Sequence, residues 1–152
     1  GRSFEQCLVE AQHLGITEAN PDFDIDGWDA AIKATALANV LMGSSLRPHD
    51  VDRTGIRDVT SADLTAAMQQ RSTIRLVARG HRANQKLKLT VGPETVPAQS
   101  PLGVVQGTSN VLILETDLMG DLAIMENDPG IDQTAYALLS DLIRIRKDLT
   151  FI

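Results

Sequence analysis

The spacing of apolar positions changes twice along the chain, and each change marks a different kind of element. Phe4, Cys7, Leu8, Ala11 and Leu14 recur at the three- and four-residue steps of one helix face. Ser3 with Gln6 three places on forms a capping box ahead of them, and Gly15 supplies the stop. Residues 16–25, with Asn20-Pro21 and many acids, predict a turn. A second helical run follows, through Trp28, Ala31, Ile32, Thr35, Ala36 and Val40 to Gly43, with Asp26 placed to cap it. Thr60 and Asp63 repeat the capping box for a third helix, and Val59 is placed to staple onto Leu64. From Ser72 the step shortens to two. Ile74, Leu76 and Ala78 alternate with Arg75 and Arg79, and Leu87, Leu89 and Val91 alternate with Lys86, Lys88 and Thr90. Two half-buried neighbouring strands are expected there, then a loop punctuated by Pro93, Pro97 and Pro101. V-L-I-L (111–114) and L-A-I-M (122–125) flank a turn ending at Gly120, which predicts a hairpin. Asp128-Pro129 reads as an N-cap and first helical residue, and Ala135, Tyr136, Leu138, Leu139, Leu142 and Ile143 fill the last helix. Helices, then strands, then a helix give an α+β fold, with helices packed on one face of a mainly antiparallel or mixed sheet.

Composition narrows the partners. A chain of 152 residues, 43% hydrophobic and 22% charged, is the size and make-up of one globular domain. Only 3% of residues are aromatic, so the core must be aliphatic and no base-stacking platform is expected. The net charge of -6 repels a phosphate backbone, so no nucleic acid is expected as partner. The basic run Arg71, Arg75, Arg79, Arg82, Lys86 and Lys88 reads as the wet face of the two strands. A single cysteine, Cys7, cannot close an internal disulfide, which suits a reducing compartment. With no apolar run near the ~20 residues a bilayer requires, no membrane partner is expected and the cytoplasm is the expected location. The opening G-R-S-F, without an initiator Met, reads as a piece of something longer.

The candidate chemistry sits early. Glu18, Asp22, Asp24, Asp26 and Asp29 crowd a dozen positions, followed by one cation, Lys33. Asp29 and Lys33 are four apart, so they share a helix face with Cβ atoms ~5–6 Å apart. The preceding loop can bring Glu18 and Asp24 to the same neighbourhood. A small zwitterion needs carboxylates for its ammonium group, and a lysine among them could exchange a hydroxyl proton. The same spacing also describes a routine surface ion pair near a helix N-terminus, and both readings stand on spacing alone. The segment D-F-D-I-D-G has the outline of a calcium loop, but the position that should hold a liganding Glu is Lys33. His13, His49 and His81 are scattered, so no metal is expected. Asn127-Asp128-Pro129-Gly130 would present backbone N–H groups at a helix start, either to an anion or as a plain cap.

Taken together, the run S-F-E-Q-C-L-V-E-A-Q-H-L-G-I-T-E-A-N-P-D-F-D-I-D-G-W-D-A-A-I-K resembles the opening of the catalytic domain of homoserine dehydrogenase. Gly15, Glu18, Pro21, Asp24, Gly27, Asp29 and Lys33 carry the likeness, and T-G-I-R-D-V-T (54–60), S-P-L-G-V-V-Q-G-T-S-N (100–110) and Q-T-A-Y-A-L-L-S-D-L (133–142) extend it. The resemblance implies interconversion of L-aspartate 4-semialdehyde and L-homoserine with NAD or NADP, in threonine and methionine biosynthesis. It implies that Glu18, Asp24, Asp29 and Lys33 bind an amino-acid substrate, with Asp29 and Lys33 catalytic and Lys33 in line for the proton. Residues 1–152 would then be the substrate-binding and dimerising domain of a homodimer. Residues from about 126 to 152 would form a helix packed toward a nucleotide-binding domain absent from this chain. No G-x-G-x-x-G turn occurs here, so no tightly bound cofactor is expected. The family's glycine-rich turn is reduced to E-N-D-P-G-I-D, leaving Gly130 as the one candidate cofactor contact. An inactive homologue that senses an amino acid or serves as an interaction domain is the alternative.

Overall fold

The computed structural model describes residues 2–17, 20–84 and 86–149, and divides into two compact units at residues 104/105. The first unit runs α1 (Phe4–His13), α2 (Asp22–Ile25), α3 (Trp28–Leu41), a 3₁₀ turn (Pro48–Asp50), β1 (Asp52–Arg53), α4 (Ser61–Gln69), β2 (Ser72–Ala83) and β3 (Lys86–Pro97). The second holds β4 (Asn110–Thr116), β5 (Gly120–Glu126) and α5 (Ile131–Leu149). The fold is α+β, as expected from the order of elements.

Helix ends follow the predicted chemistry where that chemistry is local. Ser3 accepts from the Gln6 amide at 3.2 Å while the Gln6 side chain accepts from the Ser3 amide at 3.0 Å. At the other end Ile16 donates to Ala11 and Gly15 to Gln12, with Gly15 at φ +68°. The Ile16 bond, which spans Gly15, requires the left-handed turn that glycine adopts without Cβ strain. Thr60 and Asp63 close the second capping box, at the start of α4.

In the first unit β3 is the central strand of a three-stranded sheet ordered β1-β3-β2, parallel to β1 and antiparallel to β2. The pairing sets Leu76 opposite Pro93, Ala78 opposite Val91 and Gly80 opposite Leu89, so these side chains share one face. α3 covers that face. Its Ala31 and Ala38 join Val51, Leu89 and Val91 in the buried core, with Leu46, Leu76 and Leu87 packed around them. Small residues along the buried stripe let the helix backbone approach the sheet. Thr35 lies on the stripe too, its hydroxyl satisfied by the Ala31 carbonyl at 2.7 Å.

Several expectations are corrected. The stretch read as turn contains α2, one turn of helix. The residue before α3 is Gly27 in the left-handed conformation, and Asp26 makes no cap; its carboxylate is drawn to Arg57 at 3.1 Å. Pro93 and Pro97 lie within β3 rather than in a loop. The Val91 carbonyl accepts from Thr54, so Val91 and the residues of its parity, Pro93 and Pro97 included, aim their backbone groups away from β2. β1 is too short to reach opposite the prolines, so their missing N–H groups cost no ladder bond. The alternation of β2 holds only in part: Val77, of the arginine parity, is buried, and Arg75 is half-buried with its guanidinium on the Gly103 carbonyl at 2.9 Å.

In the second unit the expected hairpin forms, with Val111 opposite Met125 and Thr116 opposite Gly120. Asp128-Pro129 does not start the last helix. Asp128 adopts φ +47°, its amide donating to the Ser109 hydroxyl at 2.9 Å, and the helix begins at Ile131. Gly130 holds the cap position, its amide given to the Gln133 side chain at 2.8 Å.

Candidate functional site

The α2–α3 elbow gathers the acidic residues. Gly27, at φ +75°, separates the two helices; Asp24 lies on α2 and Asp29 in the first turn of α3. The Asp24 carboxylate accepts from the Thr17 hydroxyl. Glu18 lies outside the described residues.

Asp29 and Lys33 meet as their spacing predicts, Nζ to Oδ2 at 2.9 Å. At about 100° per residue they lie about 160° and 200° round the helix from Ala31, on the side away from the sheet. Both stay accessible, with side chains 46% and 72% exposed. Ile32, Leu37 and Val40 are also exposed on α3. The acid–amine pair therefore sits on an apolar, uncovered helix surface. The surface around the pair is open rather than enclosed.

One concave region of the first unit lies elsewhere. An open groove of about 400 Å³ between α4 and the sheet is lined by Thr54, Gly55, Asp63, Ala67, Ile74 and Thr95, among others. None of the predicted site residues lines it. Among the described residues no three potential ligand side chains gather for a metal ion, and no helix is long and apolar enough to cross a membrane.

Sequence reading missed the cations that hold the elbow. Arg57 sets its guanidinium against Asp22 at 2.7 Å and Asp26 at 3.1 Å, and those hydrogen bonds, Asp22 first, raise its pKa. Arg53 lies 3.9 Å above the Trp28 ring and donates to the Asp26 carbonyl. Phe23 stacks on the same tryptophan at 6.4 Å, and His49 tilts against it at 5.1 Å. Their only trace in the sequence is the placing of two arginines around Gly55, which has no period to reveal it.

Comparison with known proteins covers nearly the whole chain. A profile of the homoserine dehydrogenase family matches residues 1–143. The homoserine dehydrogenase of Methanocaldococcus jannaschii is 41% identical over 145 residues, 95% of this chain and 42% of that protein. The crystal structure of Staphylococcus aureus homoserine dehydrogenase at pH 6.0 superposes with a TM-score of 0.88 at 30% identity, covering 97% of this chain and 38% of that one. A hyperthermophilic archaeal homoserine dehydrogenase mutant in complex with NADPH gives 0.73 at 30% identity, over 95% of this chain and 40% of that one. The chain thus spans about two fifths of each of these relatives.

Proposed function

The chain belongs to the homoserine dehydrogenase family of oxidoreductases, and from that membership we propose that it is the substrate-binding and dimerising domain of an enzyme interconverting L-aspartate 4-semialdehyde and L-homoserine. The observation that carries this reading is the Asp29–Lys33 pair on the uncovered outer face of α3, in a chain two fifths the length of its relatives. The missing three fifths would supply the opposite wall.

The substrate is an amino acid with an aldehyde or hydroxyl at the far end of its side chain. Asp29 and Asp24, with Glu18, would hold its ammonium group, since carboxylates give charge-assisted hydrogen bonds that fix both position and orientation. Lys33 would work at the other end. As the aldehyde is reduced its oxygen gains negative charge and takes a proton; as the alcohol is oxidised the proton leaves again. The lysine would give that proton as the ammonium when the aldehyde is reduced and take it back as the neutral amine when the alcohol is oxidised, with Asp29 keeping it near the oxygen in both directions.

Family membership implies NAD or NADP, yet neither the sequence nor the described residues mark a nucleotide site here. No G-x-G-x-x-G turn occurs, and the Gly130 amide, the candidate contact, is already taken by Gln133. The nucleotide would therefore be held by the remainder of the protein, with Gly130 at most near it and no cofactor bound tightly by this chain alone. The apolar side of α5 would pack toward that part. The enzyme would act in the cytoplasm as a homodimer, in the route to threonine and methionine.

The test is an assay of the full-length protein with aspartate semialdehyde and NADH or NADPH, beside Lys33→Ala. Loss of a proton-exchanging group should lower kcat by about 10²–10⁴-fold, with an unchanged melting temperature because Lys33 is exposed. A wild-type protein that binds homoserine without turning over would instead make the domain an amino-acid sensor.

A further inference from the structure

The segment Arg53–Arg57, running from the end of β1 toward α4, grips the α2–α3 elbow in four separate ways. Its Ile56 amide donates to the Ile25 carbonyl at 2.9 Å, and its Thr54 amide donates to Val91 of the central strand at 2.8 Å. Gly55 fits where no larger residue could: an added Cβ would stand 2.4 Å from the Ile25 carbonyl oxygen and 2.7 Å from the Asp26 Cα. Arg53 covers the Trp28 ring and donates to the Asp26 carbonyl. Arg57 bridges two carboxylates one helical turn apart, its Nη2 reaching Asp22 and Asp26 and its Nε reaching Asp26 at 3.2 Å.

An isolated exposed ion pair is worth little. This arrangement differs because the bridge closes a chain of contacts from the central strand, through a backbone hydrogen bond and a tight glycine contact, to the turn that bears Asp24 and Asp29. Without the arginines, like charges at Asp22, Asp24 and Asp26 would push the elbow open.

We infer that Arg57, assisted by Arg53, is a positioning residue: it neutralises and fixes the elbow so that Asp24 and Asp29 are held in the geometry an amino-acid substrate requires, without touching the substrate itself. The inference rests on the proposed function for its kinetic consequence, and on the elbow contacts alone for its structural one.

The experiment compares the full-length protein with Arg57→Ala, Arg57→Lys and, as control, Arg79→Ala. Arg79 forms a similar exposed bridge to Glu94 at 2.7 Å, on the sheet face away from α3. Amide hydrogen exchange is followed at residues 22–29 and Ile56. Steady-state kinetics are measured with aspartate semialdehyde and with NADH or NADPH. Arg57→Ala should speed exchange across the elbow and raise KM for aspartate semialdehyde by about tenfold, leaving KM for the nucleotide unchanged. Arg57→Lys should recover part of both, because one ammonium can reach one carboxylate but lacks the guanidinium fork. Arg79→Ala should change neither. A lower melting temperature with unaltered KM would overturn the positioning role, as would elbow exchange equal to wild type. If the wild type shows no turnover at all, the proposed function fails, whereas exchange at the elbow still decides whether Arg57 holds it.

Discussion

The two units of this chain answer the hydrophobic pattern differently. In the first, the small side of α3 closes on β3, and Ala31, Leu89 and Val91 vanish from solvent. In the second, no described residue is buried: Leu122 and Ile124 of β5 are exposed, and so are Leu138, Leu139, Leu142 and Ile143 of α5. Both units have well-formed elements. The lesson is that spacing and caps choose helix or strand locally, whereas burial requires a partner surface, which α3 and the sheet supply to each other within the first unit. Exposed apolar side chains gathered on one element are a common feature of interaction surfaces, and this chain spans two fifths of the length of its relatives.

The largest expected effect tests the closed side. Leu89 is 2% exposed at the centre of the sheet, under α3. Leu89→Ala removes buried methyl groups and leaves a cavity that the flanking strand backbones cannot close. A loss of about 2–5 kcal/mol is expected in chemical denaturation. A value below about 1 kcal/mol would mean that the first unit is not packed as described.

What could be read in advance divides along the same line. The capping boxes at Ser3 and Thr60, the Gly15 stop and the hairpin at Gly120 depend on residues a few places apart, and all were legible. The misplaced features depend on distant ones. Asp26 looked like a cap but is drawn off by Arg57, 31 positions on. Pro93 looked like a breaker, yet its strand runs on because its backbone faces the open side of the sheet, which alternation alone cannot reveal. Asp128 looked like a cap and instead binds Ser109 through its amide and Thr108 through its carboxylate. In the candidate site the Asp29–Lys33 pair was fully legible, being one helical turn apart. The arginines that hold the elbow were invisible for want of any local pattern.

A middle-sized effect sharpens the account of local order. Thr60 caps α4 by accepting from the Asp63 amide at 3.2 Å, and its hydroxyl donates to the Asp63 carboxylate at 2.6 Å. Thr60→Ala should cost about 1 kcal/mol near neutral pH. Hydrogen bonds from the Thr60 hydroxyl, then its backbone amide, hold the Asp63 pKa below its ordinary 3.8. A carboxyl group depressed in the folded protein adds stability above its unfolded pKa and loses it as pH falls through the folded one. The gap between wild type and variant should therefore narrow below pH 3.8. A gap that stays constant down to acid unfolding would show that Asp63 contributes nothing to the cap.

The smallest effect belongs to the open side, and it is informative because it should be small. Leu142 on α5 is 63% exposed, so Leu142→Ala in this chain removes few contacts. Alanine is also the stronger helix former, which offsets much of what is lost. A change within about 0.5 kcal/mol is expected here, against several for the same substitution at Leu89. The full-length protein should respond otherwise. If the α5 face packs against the part of the protein absent from this chain, truncating Leu142 there opens a cavity and costs about 2–5 kcal/mol. Equal, negligible changes in both would mean that α5 stays bare, and its apolar side would need a partner outside the polypeptide.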